Sequence, residues 1–344
     1  PIPAQGTIRQ LQLTGQAEVQ DASLHLPFAS LSEGKIAFTA RVDEILANHP
    51  AFPHSVLLSS GQIDWNQEQS QVHNLVISLN DGQAQISGTL PGSPLDWKTP
   101  GLEMSFSADL GSESSELVHK LVNIPSFLSV QAPIAVEQGQ FKHLQSGEFD
   151  FQARLHFEPD LEVQTHIQWG PEKIDIPQFL IQDQGLQTTV SVQAQDSKIH
   201  FAYSGQMRTS AVRRIFRRPW LVGDQGFISG NLQADMRTSP WRLTSINADL
   251  SLDEIDFDLG QKSSPLSISR LRLQGTPQEG LRIEHSNLNW DDNDLALEGV
   301  LQPQKDGSTL LDLKILANAL DWSRVHSQLA PLTELWTKAS GPSS

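Results

Sequence analysis

The sequence predicts an all-β, mainly antiparallel protein: an elongated curved or U-shaped sheet of repeated amphipathic strands with a few short helices. Three observations carry this. Apolar and polar residues alternate in long runs, Asn, Asp, Gly and Pro punctuate the gaps between runs, and a short glycine-bearing phrase recurs along the chain. Successive side chains of a strand point to opposite faces, so each alternating run presents one apolar face and one polar face.

Taken in order, alternation over 24–28, 35–40 and 75–79 predicts the first strands. Residues 102–110 alternate without an error: Leu102, Met104, Phe106, Ala108 and Leu110 share one parity. Residues 149–157 repeat the pattern through Phe149, Phe151, Ala153, Leu155 and Phe157. After a turn at Pro159-Asp160, 161–169 alternates again through Leu161, Val163, Ile167 and Trp169, with Thr165 the one polar residue on that parity. Weaker runs follow at 246–252, 255–259 and 311–315, with Asp253-Glu254 a register break between the first two. Turns are expected at Asn80-Asp81-Gly82, Pro91-Gly92, Gly170-Pro171, Asp183-Gln184-Gly185 and Asp306-Gly307. Three short helices are expected. One spans 112–122, a second starts at Thr209 or Ser210 and runs to Arg218 before Pro219, and a third covers 322–338. Buried parallel strands would read as unbroken Val, Ile and Leu runs, which disfavours an α/β fold. A transmembrane barrel needs aromatic girdles, and the chain has one Tyr.

Composition narrows the function. The 344 residues carry a formal charge of −16, with Lys+Arg 24 against Asp+Glu 40, which opposes a nucleic-acid partner because phosphate neutralisation needs basic surface. The absence of Cys removes disulfide scaffolds and thiolate chemistry. No run approaches the ~18 apolar residues of a membrane-spanning helix, and no signal peptide is expected at the start. A length of 344 residues suits about two domains or one elongated array. The chain is treated as one repeated region, 1–344, with a possible sub-boundary near 111–130.

The recurring phrase is apolar-x-apolar-x-Gly, ending at Gly15, Gly205, Gly275 and Gly299, and shortened at Gly88 and Gly230. Two copies extend further: residues 79–90 parallel 290–301, each with an apolar strand end, an Asn/Asp turn, and a strand with Gly in its second half. Glycine inside a strand marks a bulge, bend or close backbone approach, and at equivalent places it lets a long sheet curve regularly.

This phrase resembles the repeat of the AsmA-like proteins of Gram-negative bacteria. So does the run 180–192, and 315–322 is similar to the strand that ends in Leu-Asp before a short helix in that family. The resemblance to this family, with its TamB and YhdP relatives, is spread over most of the chain. It implies a periplasmic β-sheet rolled into a U-shaped groove, an inner-membrane anchor, and passage of phospholipid towards the outer membrane through the apolar channel. The chain lacks the family's N-terminal transmembrane helix, so the resemblance implies a piece of a longer anchored protein, with envelope proteins as further partners.

No catalytic constellation stands out: there is no Gly-x-Ser-x-Gly elbow, no His-Glu-x-x-His and no phosphate loop. The expectation is a non-enzymatic protein without cofactor or metal. His156 and His166 fall on the polar parity. Asp291, Asp292 and Asp294 suit a turn better than a Ca²⁺ loop, because the Gly and distal Glu of such a loop are missing. Candidate groove residues are the apolar parity of the cleanest strands: Leu102, Met104, Phe106, Phe149, Phe151, Leu155, Phe157, Val163, Ile167, Trp169, Leu295 and Leu297. The arginines Arg213, Arg214, Arg217 and Arg218 form two helix-spaced pairs in an acidic chain. They are either contacts for an anionic headgroup or partners of neighbouring carboxylates. The expected ligand is phospholipid or another acyl-chain lipid. The alternatives are an outer-membrane assembly scaffold, or a glycan-binding adhesin using Trp65, Trp97, Trp241 and Trp290.

Overall fold

The computed structural model describes residues 12–25, 35–48, 55–66, 68–91, 100–116, 130–157, 159–216, 221, 223–238, 241–257, 266–290, 293–304 and 309–317. The chain divides into two units, Pro1–Pro171 and Glu172–Ser344. Segment 111–130 lies inside the first unit.

The first unit holds nine strands: β1 (Gln12–His25), β2 (Lys35–Asn48), β3 (Val56–Asn66), β4 (Gln69–Leu79), β5 (Gly82–Pro91), β6 (Glu103–Leu110), β7 (Ile134–His143), β8 (Phe149–Phe157) and β9 (Leu161–Trp169). The second holds nine more: β10 (Lys173–Asp183), β11 (Leu186–Gln195), β12 (Lys198–Arg208), β13 (Phe227–Thr238), β14 (Trp241–Phe257), β15 (Leu266–Thr276), β16 (Gly280–Trp290), β17 (Asn293–Pro303) and β18 (Thr309–Ala317). Within each unit every strand pairs antiparallel with the next in the chain. The expected all-β antiparallel class is what the chain adopts.

Helix is scarce. The expected helix at 112–122 is helical over 112–116, and its remainder lies outside the described residues. The second is α1 (Thr209–Ile215), where Arg208 takes the N-cap position with no side-chain cap and Phe216 turns extended. The third expected helix, 322–338, and the turns at Gly92 and 306–307 lie outside the described residues.

Tight hairpins set the registers. Gln184-Gly185 and Asp196-Ser197 have positive φ at both central positions, the geometry whose twist matches paired strands. Bulges then curve the sheets. Non-glycine residues with positive φ, Glu44, Asn74 and Gln138, sit in β2, β4 and β7 where the pairing shifts by one residue. Each such bulge bends its strand and increases the local twist, so the sheets are curved. In β14 the Asp253-Glu254 break is a single positive-φ residue, Glu254, inside one continuous strand.

The bulges preserve facing. Across the first unit, Val19, Ala40, Ile63, Val72, Gly88, Met104, Phe141, Phe151 and Ile167 stand opposite one another in turn on all nine strands. A second apolar row crosses eight strands: Ile45, Leu58, Ile77, Ala84, Ala108, Val136, Leu155 and Val163. One residue off the first row, the opposite face reads Asp21, Thr39, Asp64, Gln71, Thr89, Glu103, Lys142, Asp150 and Gln168.

The second unit repeats the arrangement. Phe179, Val190, Tyr203, Leu232, Ala248, Gly275, Leu281, Leu301 and Leu311 face one another across its nine strands. The neighbouring row is Ile181, Thr188, Gly205, Gly230, Leu250, Leu273, Ile283, Gly299 and Leu313, with Thr188 its one polar member. Three glycines of the recurring phrase therefore align in one row. The extended copies occupy the hairpins β4–β5 and β16–β17. Gly88 and Gly299 hold the same place in each, beside a bulge in the preceding strand. A Cβ added at either would lie 2.2 Å from the Glu103 carbonyl oxygen or 2.4 Å from that of Asp312.

Candidate apolar groove

The apolar face of the first unit is the candidate site. Nine strands leave eight spacings of about 4.8 Å, so a row across them runs about 38 Å. Apart from the helical turn 112–116, every described element of this unit belongs to the sheet itself. Coverage is partial. Met104, Phe106, Phe149, Phe151, Leu155, Ile167 and Trp169 stay half-buried, while Leu102, Phe157 and Val163 are buried.

Aromatic rings dominate the β6–β9 part of the face. Phe106 and Phe151 lie 6.2 Å apart, Phe141 and Phe149 5.8 Å, and Phe149 and Trp169 5.2 Å. Gly139, opposite Phe106, leaves room for that ring: a Cβ there would sit 2.6 Å from it. Leu295 and Leu297 lie in β17 of the second unit, half-buried and opposite Leu288 and Ser286. Ten of the sequence candidates thus fall in the first unit and two in the second.

Two nitrogen-bearing side chains lie on this face: His143, which the sequence reading did not single out, and Trp65, which it named only as a glycan contact. His143 follows Phe141 on the same parity, pairs across with Phe149, and stacks on its ring at 4.3 Å. His143 is 7% exposed and its Nδ1 has no hydrogen-bond partner among the described residues. Trp65 pairs with Phe38, its ring 5.2 Å away, and its buried Nε1 is likewise without a partner. Both occupy one margin of the face, where the row runs Ala22, Phe38, Trp65, Ser70, Leu90. At its far end the His143 N–H donates to the Leu102 carbonyl at 2.9 Å, and Phe149 stands opposite Trp169. An open cleft of about 430 Å³ at this end of the strands is lined mainly from the polar face, by Asp21, Thr39, Asp64, Asn66, Gln69 and Gln71, with Phe38 and Trp65 also lining it. The alternation of 63–65 and 141–143 carried the signal, because each residue shares parity with an apolar neighbour.

The opposite face is a polar lattice. His166 Nε2 meets Asp150 Oδ2 at 3.0 Å, Gln168 Nε2 donates to the same oxygen at 2.7 Å, and Lys142 meets Glu103 at 3.3 Å. His156 lies 3.3 Å from Glu137, His73 2.9 Å from Asp64, and His200 2.7 Å from Asp235. The histidines of the clear strands are thus polar-face partners of carboxylates. Burial raises the Asp150 carboxyl, but hydrogen bonds from His166, Gln168 and Gln152 outweigh it and hold it below its ordinary value. The Asp64 carboxyl is lowered first by Gln62 and then by Thr39. Among the described residues no cluster of His, Asp or Glu has the form of a metal site.

In the second unit α1 buries Thr209, Ala211, Val212 and Ile215. Thr209 Oγ1 donates to the Gly223 carbonyl at 2.8 Å. Two arginines of the cluster, Arg213 and Arg214, face carboxylates. Arg214 meets the buried Asp183 at 3.0 Å, and Arg213 is hydrogen-bonded to Asp224. Arg208 binds Gln184 and lies over the Phe227 ring, while Arg217 and Arg218 lie outside the described residues. The single Tyr, Tyr203, points inward, donates to the Ile228 carbonyl at 2.9 Å and lies 3.5 Å from Thr188; burial pushes its phenol up. Trp290 is buried, and Trp97 and the Trp241 side chain lie outside the described residues. No described helix is long and apolar enough to cross a membrane.

Comparison of the chain with protein-family models, curated proteins and solved structures gave no match.

Proposed function

We propose that the chain handles acyl-chain lipid without catalysing a reaction, its apolar sheet face holding hydrocarbon out of water. The observation that carries this is the pair of unbroken apolar rows across the first unit, whose large side chains are only half-buried. Each methylene removed from water on such a face contributes about 0.8 kcal/mol. A row of about 38 Å exceeds the ~15 Å that one lipid leaflet contributes to the hydrocarbon core of a bilayer. Tails therefore have room along the face while headgroups stay in solvent.

The AsmA-like resemblance extends the proposal to phospholipid passage between inner and outer membranes, in the periplasm, with an inner-membrane anchor outside this chain. The repeated glycine hairpins support that extension, since they occupy equivalent places in both units.

Native mass spectrometry with lipid extraction, on the chain purified from a Gram-negative host, tests the reading. Co-purifying phospholipid is expected, and Phe151→Glu or Leu155→Glu should remove it while the melting transition survives. Wild-type protein that neither carries phospholipid nor takes it up from vesicles would overturn the proposal.

A further inference from the structure

We propose that the margin carrying Trp65 and His143 holds two polar-end subsites, each nitrogen meeting the oxygen-bearing end of its own amphiphile, with the tails on the neighbouring apolar rows. This rests on the acyl-chain reading above. It adds a direction and a chemistry that apolar rows alone do not supply.

The two nitrogens are the starting point. A buried nitrogen without a partner costs about 1–3 kcal/mol, and buried polar atoms of native proteins are nearly always satisfied. Among the described residues three such atoms lie on the apolar face: Thr165 Oγ1 within it, and Trp65 Nε1 and His143 Nδ1 along one margin, four strand spacings or about 19 Å of sheet apart. An indole N–H only donates, and one imidazole tautomer donates from Nδ1. The complementary group must then present acceptor oxygen: a carboxylate, a phosphate or an ester carbonyl.

The surroundings suit the junction between a polar end and a tail. Phe38 packs against Trp65, and Phe149 stacks between His143 and Trp169. Aromatic side chains with one polar edge favour places where an apolar body meets a wet one. The next row inward, Ile63, Val72, Gly88, Met104, Phe141 and Phe151, is wholly apolar. At the other margin, Leu79 and Gly82 face each other, as do Leu110 and Ile134, and Phe157 and Leu161, with no polar side chain among these pairs. Apart from the Thr165 hydroxyl on β9, the face is thus polarised along its strands.

The test uses the full chain and four probes of equal tail length: decanol, decanoate, decyl phosphate and chlorodecane. Each displaces anilinonaphthalene sulfonate from the protein. The double variant His143→Phe with Trp65→Phe should weaken the three oxygen-ended probes by about 5-fold and leave chlorodecane unchanged, each single variant losing one class of site. His143→Gln, which keeps a hydrogen-bonding group, should recover the loss at its own site, and melting curves establish that the variants are folded. A larger loss for decyl phosphate than for decanoate assigns the subsites to a phospholipid headgroup, and the reverse assigns them to a free fatty acid. Equal effects on all four probes, or none on any, overturn the subsites and leave the apolar face standing. If the wild type binds no probe, the acyl-chain reading itself falls.

Discussion

Single residues hold the rows together where two backbones come close. Gly205 and Gly230 face each other with φ of 123° and 121°, a region that only glycine enters freely. A Cβ at Gly230 would lie 2.0 Å from the Asp249 carbonyl oxygen. Gly230→Ala should therefore cost about 2 kcal/mol or more, read as a lowered urea midpoint. Asp183 is 2% exposed and answers Arg214, so Asp183→Ala removes a charge-assisted hydrogen bond and should cost about 2 kcal/mol by chemical denaturation. A double-mutant cycle with Arg214→Met should show a coupling energy that traces the cost to this pair. Asp150 adds a pH dependence. Its carboxyl titrates below the ordinary 3.8 when folded, so its contribution is complete above that value and lost as pH falls through the folded pKa. Asp150→Asn should destabilise at pH 7, with the gap from wild type closing towards pH 2 in parallel urea titrations. The glycines were legible as a repeated phrase. Their alignment in one row was not, because a sequence states spacing along a strand and says nothing of its neighbour.

Strands were the most legible elements, since parity is written directly in the alternation. The runs at 102–110, 149–157 and 161–169 became β6, β8 and β9 with shifts of one residue at most. Bulges were less legible: Asn74 and Gln138 take positive φ inside runs whose residues do not announce it. A bulge depends on two strands at once, and one strand's alternation does not show where its partner's register shifts. The turn 80–82 proved to do more than reverse the chain. Asp81 accepts the backbone N–H groups of Glu113 and Ser114 at 2.7 and 2.8 Å, capping the helical turn 112–116 from across the sheet. Burial raises its carboxyl, but these hydrogen bonds outweigh it and lower the pKa. Asp81→Ala should cost about 1 kcal/mol and speed amide exchange at Glu113 and Ser114 more than in β5 or β6.

At the scale of the molecule, the amphipathic pattern gave the fold class and the polarity of each strand, while continuity of the face came only with register. Phe151 and Met104 are 47 positions apart by their numbers, yet Phe141 alone separates them in the row. The same limit hid His143 and the place of Trp65, a tryptophan read only as a glycan contact until pairing puts both along one margin. Register also fixes what changes of length the chain tolerates. A single deletion within β5 or β8 reverses every side chain beyond it and sets glutamines among the phenylalanines, whereas a turn can grow freely. A whole hairpin is a different unit of change. Its two strands enter and leave on the same parity, so losing β4–β5 would let β3 meet β6 with both rows intact. The face would shorten by about 10 Å, two strand widths. Small-angle scattering of that deletion, showing a folded particle shortened by this step, would identify the hairpin as the increment in which such a chain sets its reach.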